Sequence, residues 1–120
     1  MPRRDKPEPH ALKVGQRLLG LIEERRLTLE AFGVAGGIAK GHLSYISRGL
    51  SVMTIITIQR LAAVLKVPAF MLFVTPEDGP KDKLVDLVGR MSDEQCELVL
   101  LLVNEHPVVG RQARAELVRH

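Results

Sequence analysis

Residues 28–49 read TLEAFGVAGGIAKGHLSYISRG, two short helical segments set about a pair of glycines. Thr28 offers a side-chain oxygen to cap a helix from Leu29 to about Ala35, and the Gly36-Gly37 pair ends it, because glycine supplies the positive φ of a tight turn. A second short helix must follow at once. Ala39 to Arg48 fits it, with Leu43 and Ile46 on one face and Gly49 where a left-handed C-terminal cap would sit. Gly33 is small enough to let the second helix cross closely over the first. With Leu43 and Ile46 turned inward, Lys40, Gly41, His42 and Tyr45 are directed outward.

Outward from this pair the pattern stays helical. Upstream, Val14, Leu18, Leu21 and Ile22 recur at helical spacing, predicting a helix from Ala11 to Arg26. Residues 1–10 hold three prolines and alternating charge, and are expected to form a mobile basic arm. Downstream, Thr54 caps a helix to Leu65 built on Ile55, Ile58, Leu61, Ala62 and Leu65, and Pro68 opens a short fifth helix, Ala69 to about Phe73. Residues 75–80 (TPEDGP) read as a linker. Beyond it, Lys81 to about Met91 is in helical register, and Ser92-Asp93-Glu94-Gln95 matches a capping box that opens a helix to about His106. Pro107 ends that helix, and Arg111 to Val118 suits a last weaker turn or two. The expected organisation is an arm over 1–10, a domain over 11–74, a linker over 75–80 and a helical region over 81–120.

Composition supports an all-helical reading and locates the charge. The 120 residues are 46% hydrophobic with three Phe, one Tyr and no Trp, so the core is aliphatic. Residues 1–70 carry eleven Lys/Arg against five Asp/Glu, whereas 71–120 carry six against nine. Only the first half suits a polyanion. Cys96 stands alone and has no disulfide partner, and the N-terminus lacks the apolar segment of a secretory signal, which points to the cytoplasm. No apolar run approaches the roughly 18–20 residues a membrane span needs. No nucleophile–base set, phosphate-binding loop or metal-ligand spacing is present, His10, His42, His106 and His120 included, so neither an enzyme nor a cofactor is expected.

The chain resembles the Cro/C1-repressor-like (XRE) family over about residues 12–73. The resemblance rests on Val14-Gly15-Gln16-Arg17-Leu18, Thr28-x-Glu30, Gly37-Ile38, Leu43-Ser44-x-Ile46-x-Arg48-Gly49 and Thr57-Ile58-x-x-Leu61-Ala62-x-x-Leu65-x-Val67. It implies an all-α chain in which a five-helix lambda-repressor-like helix-turn-helix domain precedes a C-terminal helical dimerisation region. It further implies a DNA-binding regulator of transcription, such as a repressor. Lys40, Gly41 and Tyr45 fall at the positions that read bases, where a lysine reaches guanine O6/N7 and a tyrosine ring meets a thymine methyl. Arg17, His42, Ser44 and Arg48 become candidates for phosphate contacts, and Arg3, Arg4 and Lys6 for a DNA-contacting arm. The chain departs from the family at Leu29, where Gln is usual, at Ala39, where a capping Ser or Thr is usual, and at Ser47, commonly Glu.

The second half needs an explanation of its own, because apolar residues cover nearly every side of the helix after Ser92. Leu84, Leu87, Val88, Cys96, Val99, Leu100 and Val103 are the candidate dimer interface; the alternative is that these helices pack back on the N-terminal domain. A two-fold dimer would set two reading helices roughly 34 Å apart on an inverted repeat. A competing function uses the helix-turn-helix as a scaffold and the C-terminal helices to hold a protein partner, as an adaptor or antitoxin would. The DNA-reading function needs Lys40 and Tyr45, whereas the adaptor tolerates their loss.

Overall fold

A computed structural model describes residues 5–106 together with 108, 111, 112, 115 and 116; Arg3 and Arg4 of the expected arm lie outside the described residues. The chain divides into two compact units, Met1–Gly89 and Arg90–His120. Every described element is helical.

In the first unit, α1 spans Pro9–Glu24, two residues longer at its start than the spacing predicts. The Glu8 carboxylate accepts the backbone N–H of Ala11 at 2.7 Å, and Pro9 occupies the first turn, where its missing donor costs nothing. That bond, with a second to His10, holds the Glu8 carboxyl below its ordinary pKa. The expected arm therefore loses its last residues to α1, and its Lys6 lies exposed just before the cap.

Helices α2 (Leu29–Gly36) and α3 (Lys40–Ser47) are joined by a three-residue turn in which Gly37 takes φ 69°. Thr28 caps α2 by accepting the N–H of Ala31 at 3.0 Å. A Cβ at Gly33 would come within 2.5 Å of the Ile38 carbonyl oxygen, so the turn folds back on α2 only because that side chain is absent. Helix α4 (Ile55–Leu65) begins under Thr54, whose hydroxyl accepts the Thr57 N–H at 3.1 Å. The expected fifth helix is a 3-10 turn, Ala69–Phe73; five residues after Pro68 close only tight i→i+3 bonds, yet they bury Met71 and Leu72. A second such turn, Pro76–Asp78, follows.

The core joins all of these. Leu18, Leu21 and Ile22 of α1, Phe32 of α2, Leu43 and Ile46 of α3, and Ile58, Leu61 and Leu65 of α4 pack together, each side chain worth roughly 1.5–3 kcal/mol when fully buried. Leu29, at the position where the family usually has Gln, packs half-buried against this cluster.

Helix α5 (Pro80–Gly89) belongs to the same unit. The stretch read as a linker, 75–80, contains the second 3-10 turn and leads directly into α5, which is tied down on both sides. Asp82 accepts the Thr75 N–H at 2.9 Å, Asp86 pairs with Arg17, and Lys13 reaches Asp78 at 2.8 Å. The Asp78 carboxylate raises the Lys13 pKa in return.

The second unit holds α6 (Asp93–Glu105), opened by the capping box anticipated from the sequence: Ser92 accepts the N–H of Gln95 at 3.1 Å, and the Gln95 side chain accepts the N–H of Ser92 at 3.0 Å. None of its residues is buried. Residues 111–112 and 115–116 are helical, and the rest of the expected last turn lies outside the described residues.

Candidate nucleic-acid interface

Helix α3 is anchored from one side. Leu43 and Ile46 are 1% exposed, which fixes the rotation of the helix about its axis and leaves Lys40 and Gly41 on the open side. Tyr45 is half-buried, and the Arg48 guanidinium lies over its ring at 4.9 Å, a cation–π contact that holds both on the outer surface. Arg48 Nε also donates to the Ser44 carbonyl at 3.3 Å, an oxygen that accepts the Ser47 hydroxyl at 2.8 Å. Ser47 thus closes the C-terminal turn of α3 by a local bond. His42 is half-buried, with Nε2 3.4 Å from the hydroxyl of buried Ser51, so it is tied to the chain that leaves α3.

The N-terminus of α3 is bare. Ala39 has the extended backbone of a cap but makes no side-chain bond to the first turn, as expected of a residue without a polar side chain. The N–H groups of Lys40, Gly41 and His42 point from the end that is exposed.

One expected phosphate contact does not join this surface. Arg17 Nε donates to the Met71 carbonyl at 3.1 Å and its guanidinium pairs with Asp86, the two side chains being 11% and 18% exposed. Arg17 is a structural residue binding α1 to the 3-10 turn and α5. Its sequence neighbourhood gave no sign of this, because Asp86 lies 69 residues away. Lys40, Gly41, Tyr45 and Arg48, with His42 and Ser44 partly exposed behind them, are brought together on α3.

The candidate dimer residues separate into two kinds. On α5, Leu84 and Leu87 are more than half exposed and Val88 less so. On α6, Leu100 is widely exposed, whereas Cys96, Val99 and Val103 form its least exposed side. Leu98, Leu101 and Leu102, outside the expected set, are more than half exposed as Leu100 is, and the sequence could not single them out because residues 98–103 are apolar without a break. Among the described residues no three His, Cys, Asp or Glu side chains converge on a metal position, and no helix is long and apolar enough to cross a membrane.

Three solved structures are similar to this chain. The restriction-modification controller protein C.AhdI from Aeromonas hydrophila is 26% identical, with a TM-score of 0.54, over 55% of this chain and all of its own. An HTH_3 family transcriptional regulator from Vibrio cholerae is 29% identical (TM-score 0.52) over 54% of this chain and 36% of its own. A chain of the SinR protein/SinI protein complex is 28% identical (TM-score 0.53) over 72% of this chain and 90% of its own. No protein-family model matches the chain, and no curated protein does. The fold and these neighbours define an all-helical helix-turn-helix protein. The resemblance to the Cro/C1-repressor-like (XRE) family read from the sequence agrees with these neighbours, among them a restriction-modification controller protein and an HTH_3 family transcriptional regulator.

Proposed function

We propose that the protein is a sequence-specific double-stranded DNA-binding regulator of transcription, working as a homodimer that reads an inverted repeat through α3. The observation that carries this is the posture of α3. Two fully buried residues hold it so that Lys40, Gly41 and Tyr45 stand out on one side, on a fold shared with a restriction-modification controller and a transcriptional regulator. Lys40 is the donor for guanine O6/N7, Gly41 gives close approach, and the Tyr45 ring meets a thymine methyl. Arg48, His42 and Ser44 serve phosphates, as do the uncapped N–H groups at the start of α3. Lys6 remains a candidate arm contact. A dimer through the C-terminal helices supplies the second reading helix, and the doubled contact compensates for a weak single module.

Selection of binding sites from a randomised duplex pool, followed by salt titration on the selected site, tests this. The expected result is an inverted repeat, a steep loss of affinity with salt, and a loss of about 1–3 kcal/mol for Lys40→Ala, relaxed at one base position. Tyr45→Ala should weaken binding as well. No enrichment, or enrichment that both substitutions leave untouched, overturns the reading.

The second reading, a scaffold that holds a protein partner through its C-terminal helices, is favoured by one observation. One neighbour, similar over 72% of this chain, was solved as a complex of two proteins, and α6 exposes an apolar surface suited to such use.

A further inference from the structure

Helix α5 packs backwards. An amphipathic helix ordinarily lays its apolar stripe on the core and its charges in water. In α5 the inward stripe is Asp82, Asp86 and Gly89: the first carboxylate accepts the Thr75 N–H, the second pairs with Arg17, and Gly89 lies so close to Met71 that a Cβ would collide with it. Both acids are spent inward. The side left to solvent carries Leu84 and Leu87, 61% and 56% exposed, with the exposed cations Lys81 and Lys83.

Helix α6 has the opposite charge. Asp93, Glu94, Glu97 and Glu105 are its only charged residues, all exposed, and Leu98, Leu101 and Leu102 are 58%, 54% and 70% exposed among them. At the i, i+4 spacing of a helix surface, Glu94, Leu98 and Leu102 share one row, and Glu97, Leu101 and Glu105 the next. Pairing α6 with its own copy is unfavourable in either direction, because acids sit at both ends of the helix and like charges across an interface repel. Pairing α5 with its own copy brings the lysines together when the helices run parallel, and when they run antiparallel sets Lys81 and Lys83 against the uncharged end of the partner helix, Val88 and Gly89, so neither direction offers them an acid.

We propose that two copies of this chain pair reciprocally, the outward leucine–lysine face of α5 in each seating on the leucine–glutamate face of α6 in the other. The proposal rests on the homodimer reading above and specifies its interface. A second copy is the occupant because one chain carries both complementary faces, so a single two-fold operation satisfies the two contacts at once. Leucines supply the burial, and Lys81 and Lys83 against Glu94 and Glu97 set the choice of partner helix.

Two charge-reversed full-length chains test it, Lys81→Glu/Lys83→Glu and Glu94→Lys/Glu97→Lys, with self-association measured by sedimentation equilibrium at low salt, alone and mixed one to one. Each variant alone should self-associate about tenfold more weakly than the wild type or worse, as attraction turns to repulsion. The equimolar mixture should recover wild-type affinity, since each contact in the mixed pair again joins opposite charges. Recovery also guards against a folding defect in the α6 variant. If the lysine variant keeps wild-type affinity, or the mixture fails to recover, the reciprocal pairing is overturned while the dimer stands. If wild type stays monomeric at the highest concentration reached, both the pairing and the homodimer reading fall.

Discussion

The helices of the first four-helix cluster and the two that follow it treat leucine in opposite ways. Phe32, Leu43, Leu61 and Leu65 are sealed from solvent, whereas Leu84, Leu98 and Leu102 are more than half exposed although they are equally apolar. The difference lies in what each helix offers its neighbours. Helices α1 to α4 converge on one another with leucine stripes. Helix α5 reaches the same body through two carboxylates and a glycine, because Arg17 and the Thr75 N–H give those acids partners that water would otherwise supply. A buried or half-buried ion pair specifies geometry more than it adds stability. It fixes which face of α5 is left over, and that face is apolar.

The largest effect should come from breaking this contrast at its strongest point. Leu61→Ala removes a fully buried side chain from the core and should cost about 2–5 kcal/mol in denaturant unfolding, whereas Leu102→Ala should leave the stability of a dilute monomer nearly unchanged and act on self-association instead. Equal costs for the two would mean that α6 is buried against its own chain.

A middle-sized effect tests the tie that turns α5. Arg17→Ala removes the guanidinium that meets Asp86 and one of the two donors to the Met71 carbonyl, which should cost about 1–3 kcal/mol. It should also loosen residues 75–89 in hydrogen exchange while leaving α3 protected. A chain that keeps its stability but loses DNA affinity would return Arg17 to the phosphate contacts expected of it from the sequence.

The smallest effect lies within the reading helix itself. Ala39→Ser supplies the missing cap of α3 and should stabilise the domain by about 0.5–1 kcal/mol, read as a rise in melting temperature. Unchanged stability would show that the first turn of α3 is already satisfied by solvent.

Much of this architecture was legible residue by residue. Thr28, Thr54 and Ser92 each announce a helix and each accepts the expected backbone N–H, and Gly37 takes the left-handed turn its position called for. The start of α1 is harder to read: Glu8-Pro9 is a helix-opening pair, but the three prolines among residues 1–10 carry the opposite signal. The residues gathered on α3 were readable because Leu43 and Ile46 fix one face by local periodicity alone.

Signals carried between residues a few positions apart were therefore sufficient in the sequence: caps, turns, and the inward face of each short helix in the core. Arg17 is the counterexample. Its role depends on Asp86 and the Met71 carbonyl, 69 and 54 residues away, and nothing in its own surroundings distinguishes a phosphate-binding arginine from one held in an internal pair. The exposed leucines of α6 are another, since a helix apolar on every side has no preferred face until its neighbours take one. Local signals place the caps at Thr28, Thr54 and Ser92 and the presented face of α3; which charges are consumed internally and which leucines remain uncovered depends on partners that the chain brings together only when it folds.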